Sequence, residues 1–139
     1  MQYKRVGDTW LVRMDPGDEV IQSLNQLCEA ENIRLARVEA IGAIDHGVIG
    51  VFDLEKRTYH QEILEGLMEI TTLSGNVTAM NGKPYIHLHA TLADQNHVIH
   101  GGHVIELRIG LTCEMFVCAL EGEVTRERNE ALGINVWKL

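Results

Sequence analysis

The chain has 139 residues, 45% of them hydrophobic and 23% charged, with only two prolines. That is the size of one ordinary domain, here spanning residues 1–139, with enough apolar material for a core that needs neither disulfides nor a structural metal; disorder, low complexity and a string of linked domains are excluded. Twenty acidic residues against twelve basic ones give a formal net charge of −8, which argues against a nucleic-acid surface, because that binding is driven by cationic side chains displacing counterions from phosphate.

In chain order, Tyr3 to Val6 and Thr9 to Met14 flank Gly7-Asp8 and read as an opening hairpin. Asp15-Pro16-Gly17-Asp18 reads as a helix start, with Asp15 as the cap and Pro16 in the first turn. Val20, Leu24, Leu27 and Cys28, with Ile21 alongside, make one apolar stripe that ends near Glu31 and Asn32. From Ile33 the period changes to two. Arg34 to Ile41 is a strand, Gly42-Ala43 a bend or a close approach, and Val48 to Phe52 and Thr58 to Leu64 flank a polar turn at Asp53 to Arg57. Leu67 to Met80 is long enough to bend or bulge near Gly75, and Asn81-Gly82 is a strong hairpin signal. Val104 to Leu120 reads as two strands or one strand bent near Gly110, and Val124 to Arg128 and Ile134 to Trp137 as short edge segments. These lengths predict an α+β fold, a mostly antiparallel sheet covered by one main helix.

The stretch from Pro84 to His103 holds five of the seven histidines. Tyr85 to Leu92 alternates as a strand does, with Tyr85, His87, His89 and Thr91 on one face and Ile86, Leu88, Ala90 and Leu92 on the other. Asp94-Gln95-Asn96 is a turn signal, and His97 to His100 resumes an extended run before Gly101-Gly102 gives the backbone freedom to bend and delivers His103. A returning strand would place His103 beside His87 and His89. Three neutral imidazoles suit zinc or another divalent transition metal and leave a fourth position open. Each ring is expected to hold its second nitrogen on a carbonyl or carboxylate, and ion affinity to fall as pH drops through about 6.5. A His-x-His pair alone arises by chance in a chain this rich in histidine, and surface or core-satisfied rings are the competing reading. Alternation puts His97 and His100 on opposite faces, so at most one of them can join the cluster.

Cys28, Cys113 and Cys118 are odd in number, form no C-x-x-C and lie among apolar residues, as reduced packing residues do. No apolar run reaches the roughly 18 to 20 residues of a membrane span. The start Met1 to Arg5 leads into no signal-peptide core, so a cytoplasmic location is expected.

The run Glu65-Gly66-Leu67-Met68-Glu69-Ile70-Thr71-Thr72-Leu73-Ser74-Gly75 resembles the Gly-x-Phe-Glu-Ile-x-x-Leu-x-Gly signature of the plants-and-prokaryotes-conserved domain, with Met68 in place of the phenylalanine. Pro84 to Ala90 and Gly101-Gly102-His103 resemble its other two hallmarks, in the same order, and the likeness extends from about Arg5 to Val136. The resemblance implies an antiparallel sheet with a flanking helix, a homotrimer, and a metal on His87, His89 and His103. It also brings the label "DNA-binding". In plant relatives that label rests on a separate AT-hook, and this chain has no Arg-Gly-Arg-Pro.

Two functions follow as expectations. One is a metal-binding, trimeric module that takes a small-molecule ligand or a protein partner, without strong direct DNA affinity and without a membrane. The alternative is a zinc-dependent enzyme acting on a small molecule, in which a carboxylate serves as base; Glu69 and Glu114 are its candidates, and each also reads as an ordinary sheet-surface residue.

Overall fold

A computed structural model describes residues 1–139 and arranges them as eight strands and one helix. In order these are β1 (Gln2–Val6), β2 (Thr9–Met14), α1 (Val20–Ala30), β3 (Ala36–Asp53), β4 (Thr58–Met80), β5 (Lys83–Ala93), β6 (Ile99–Ala119), β7 (Thr125–Asn129) and β8 (Ile134–Lys138). The sheet runs β1-β2-β6-β3-β4-β7-β8, and β5 pairs with both β4 and β6. The four strands β3, β4, β5 and β6 therefore close a ring, which removes the free edges that long apolar strands would otherwise expose. Every pairing is antiparallel except the single parallel pair Ala79–Thr125 between β4 and β7. The result is the α+β, sheet-and-helix architecture read from the sequence.

Helix α1 starts later than expected. Glu19, not Asp15, is the cap, and its carboxylate accepts from the backbone N–H of Ile21 at 3.1 Å, Gln22 at 2.6 Å and Leu107 at 3.2 Å. The reason lies in the turn before it. Gly17 takes φ +92°, which no right-handed helix allows, and its N–H and the Asp18 carbonyl are both taken by Ile109 of β6, at 2.8 and 2.9 Å. The stripe itself is as read: Val20, Leu24, Leu27 and Cys28 are buried, and α1 packs on β5 and β6. Asn32, at φ 53°, ends the helix. No helix is long and apolar enough to cross a membrane.

Three long strands run straight through the glycines at which the sequence suggested breaks. A Cβ on Gly42 would overlap the Thr112 carbonyl oxygen, and one on Gly110 would stand 2.8 Å from the Asp45 backbone nitrogen, so these glycines permit close strand approach while pairing continues. Bending is absorbed instead by register shifts, between Ala40 and Gly42 and between Ile44 and His46 of β3, and between Ile70 and Thr72 of β4 rather than at Gly75. Asn81 and Gly82 both take positive φ, 54° and 76°, as a two-residue hairpin turn requires.

The core forms one cluster inside the ring and under α1, including Ile44, Leu73, Leu88, Leu92, Leu107 and Ile109. Strand β5 alternates as predicted, with Leu88, Ala90 and Leu92 buried on one face. The cysteines are free. Burial pushes the Cys28 and Cys113 thiols up to about 12, and half-buried Cys118 accepts a hydrogen bond from Thr9 Oγ1 at 3.7 Å, so all three serve packing.

Candidate metal centre

The other face of β5 carries His87 and His89, and β6 returns antiparallel with His103 directly opposite His89. Ring centroids are 5.3 Å apart for His87–His89, 5.0 Å for His87–His103 and 5.5 Å for His89–His103. One nitrogen of each ring lies within 4.8 Å of one nitrogen of each of the others. The spacing in sequence and the returning strand thus assemble the three rings as read, but the glycines act differently. Neither Gly101 nor Gly102 takes a left-handed φ. A Cβ on Gly102 would stand 2.7 Å from the Gly50 carbonyl oxygen, so this residue supplies room for β3 against β6, not a bend. Gly75 does the same on the other side, where a Cβ would overlap the carbonyl oxygen of His87 itself.

Two of the rings are half-buried and one is exposed. Burial, followed by the neighbouring charges of His103, Arg126 and His89, holds His87 down to about 4; burial, then His89 and Arg126, also lowers His103. Both are neutral at physiological pH and carry a lone pair ready for a cation. Proton competition at these two rings thus begins below the pH 6.5 of a free imidazole.

The outer contacts also differ from expectation. His103 finds no partner for Nδ1, which is buried, and its ring stacks on Tyr59 at 4.7 Å and 18°. A buried nitrogen without a partner costs about 1–3 kcal/mol, a cost that a cation removes only by binding at Nδ1 itself. His87 Nδ1 meets a guanidinium: Arg126 Nη2 donates to it at 3.3 Å. Arg126 is 9% exposed and pinned by Thr78 Oγ1 at 2.8 Å, Asn76 Oδ1 at 3.0 Å and the Asn135 carbonyl at 3.0 Å, with its guanidinium 4.5 Å from the centre of the Tyr85 ring. Coordination through His87 Nε2 would move the ring proton to Nδ1, so the Arg126 contact is the one that ion binding would change. The donor set of three uncharged nitrogens fits a borderline divalent ion.

The remaining candidates lie elsewhere. His97 is exposed in the turn after β5 at φ 62°, and His100 is engaged by Glu62 at 3.0 Å and Asp94 at 3.7 Å. Neither belongs to the cluster. Glu69 and Glu114 come together, but in a separate groove with Ile41 and Thr112, and no carboxylate joins the three histidines. Sequence reasoning missed Tyr59 and Arg126, which reach the site from β4 and β7. Only the pairing of distant strands brings them there, and no local pattern signals it.

A sequence profile of the Plants and Prokaryotes Conserved (PCC) domain matches residues 1–121. The chain belongs to the PCC family. Among solved structures, a metal-containing protein from Archaeoglobus fulgidus is 33% identical, with a TM-score of 0.89 over 100% of this chain and 99% of that one. A candidate DNA-binding protein from Bacteroides thetaiotaomicron is 27% identical, with a TM-score of 0.95 over 99% and 96% of the two chains. A plant- and prokaryote-conserved protein from Pyrococcus horikoshii is 29% identical, with a TM-score of 0.90 over 99% and 94%. No curated protein matches the chain. In this PCC chain the family signature lies on β4, with Gly66 at φ +93° and Met68 half-buried against the core, where it takes the apolar place of the phenylalanine.

Proposed function

We propose that this PCC chain is a metal-binding homotrimeric module that takes a small ligand, with His87, His89 and His103 holding one divalent transition-metal ion, zinc foremost. The observation that carries the reading is the convergence of three ring nitrogens within 4.8 Å of one another. The relative from Archaeoglobus fulgidus is metal-containing, which supports it. When bound, such an ion supplies a Lewis acid with a free coordination position. The chain's own residues hold the rings: Gly75 and Gly102 let the strands close, and Tyr59 stacks His103. The enzyme alternative draws nothing from Glu69 and Glu114, which line another groove. Zinc added to chelator-treated protein should raise its unfolding midpoint, since an ion at a hundred times its Kd stabilises by about 2.7 kcal/mol. An unchanged midpoint at saturating zinc overturns the reading.

The trimer is supported by apolar side chains left exposed on the β2–β6–β3 surface, among them Leu11, Ile41, Leu111 and Phe116. Light scattering should give three times the 15.6 kDa chain mass; a monomer mass at micromolar concentration contradicts it. Some relatives are described as candidate DNA-binding proteins. For this chain, with a net charge of −8, we expect no retarded duplex at micromolar protein and physiological salt, and tight retention would show that a local basic surface outweighs that charge. A cytoplasmic location belongs to the same reading.

A further inference from the structure

Beside the histidines lies a half-open cavity of about 340 Å³, lined by residues of β3 to β6 and of the β7–β8 hairpin, with His87 and His103 in its wall. Its thirteen lining residues include three arginines, Arg57, Arg126 and Arg128, and neither an aspartate nor a glutamate. In a chain with twenty acidic residues against twelve basic ones, that is a local reversal of sign. Of the five arginines elsewhere, four find carboxylates: Arg5 pairs with Asp8, Arg13 with Asp15, Arg37 with Glu39 and Arg108 with Asp45, while Arg34 is held by Asn32 and the Gly82 carbonyl. The three arginines of the cavity have no carboxylate within 4.0 Å. Arg126 is also buried and held rigid by Thr78, Asn76 and Asn135, so its orientation is set before anything binds. Arg57 and Arg128 are exposed arms at the rim.

We propose that this cavity binds a small organic oxyanion, a carboxylate or a phosphate monoester, gripped by Arg57, Arg126 and Arg128 with its far end beside His87 and His103. Arg57 and Arg128 offer paired N–H donors that match either oxyanion; Arg126, with four of its N–H groups engaged by Thr78, Asn135, Asn76 and His87, adds chiefly its fixed charge, and the side chains of Phe52, Tyr59 and Ile134 in the wall strengthen that attraction. A volume near the lower end of ligand pockets fits a metabolite of a few carbons. The proposal names the ligand class of the site described above and rests on that reading only where the anion meets the ion. There the two agree, because three uncharged imidazoles would leave a dication's charge whole and an anion would offset it. The arginine end stands without the metal.

The test is calorimetric titration of the full chain, both zinc-loaded and chelator-treated, with pyruvate, methyl phosphate and the neutral analogue pyruvamide. Arg57→Gln/Arg128→Gln is the variant of choice, since both side chains are exposed, whereas Arg126 is part of the packed structure. We expect saturable binding of at least one anion, none of pyruvamide, and a loss of about tenfold or more in the double variant, as removal of charge-assisted hydrogen bonds brings. Whichever of pyruvate and methyl phosphate binds more tightly identifies the oxyanion. Arginine-dependent binding by protein that takes up no zinc supports the cavity and overturns the metal reading. Zinc-dependent binding that the double variant leaves unchanged, or no binding of either anion, overturns the cavity.

Discussion

Replacing His89 with alanine should abolish stoichiometric metal binding while leaving the fold intact. His89 is the exposed member of the cluster, so the truncation opens no cavity and should change stability by no more than about 0.5 kcal/mol. Its loss leaves two half-buried rings, and two nitrogens do not hold a tetrahedral ion as three do. Affinity should fall by at least about a hundredfold, because even an outer-sphere partner of a ligand is worth some 10- to 100-fold. Equilibrium dialysis against buffered zinc gives the first quantity, and thermal unfolding of the chelator-treated proteins gives the second. A variant that retains its ion would show that the ligands lie elsewhere.

Gly75→Ala should have the opposite signature, a large loss of stability. The added methyl would overlap the His87 carbonyl oxygen and stand 2.9 Å from the Leu88 Cα, and both obstacles are backbone. No side-chain rotation relieves them, so β4 and β5 must part locally. The cost should reach about 3 kcal/mol, the upper range for overpacking a core. Because His87 and His89 flank the disturbed pair Gly75–Leu88, zinc affinity should fall as well. Gly82→Ala is the control: nothing lies within 4 Å of its Cβ, and only its φ of 76° opposes alanine, at a cost of about 1 kcal/mol. Denaturant midpoints compare the two. Equal, small effects would mean that β4 and β5 do not pack as described.

What the sequence disclosed was what local chemistry decides. Asn81-Gly82 had to turn, and Asp94 had to cap its own loop, as it does by accepting from the backbone of Asn96 at 2.8 Å and Val98 at 2.9 Å. The alternation of Tyr85 to Leu92 placed His87 and His89 on one face, and the position of His103 opposite them followed from a tight return. The glycines were harder. At Gly42, Gly75, Gly102 and Gly110 the missing side chain makes space for a strand from far along the chain, and a gap in a local pattern looks the same whether it marks a bend or a crossing neighbour. The helix cap moved from Asp15 to Glu19 for a similar reason, because β6 claims the Gly17 N–H. Nothing in the local sequence marked Arg126. Its burial against Asn76, Thr78 and His87 depends on one parallel contact between β4 and β7.

His87, His89 and His103 should form one metal site per chain. Elemental analysis of protein purified without an affinity tag tests it most directly. A divalent transition metal, zinc foremost, is expected at a ratio near one per chain, lost on chelation and restored by zinc. Protein that carries none, and takes up none when zinc is supplied, would contradict it.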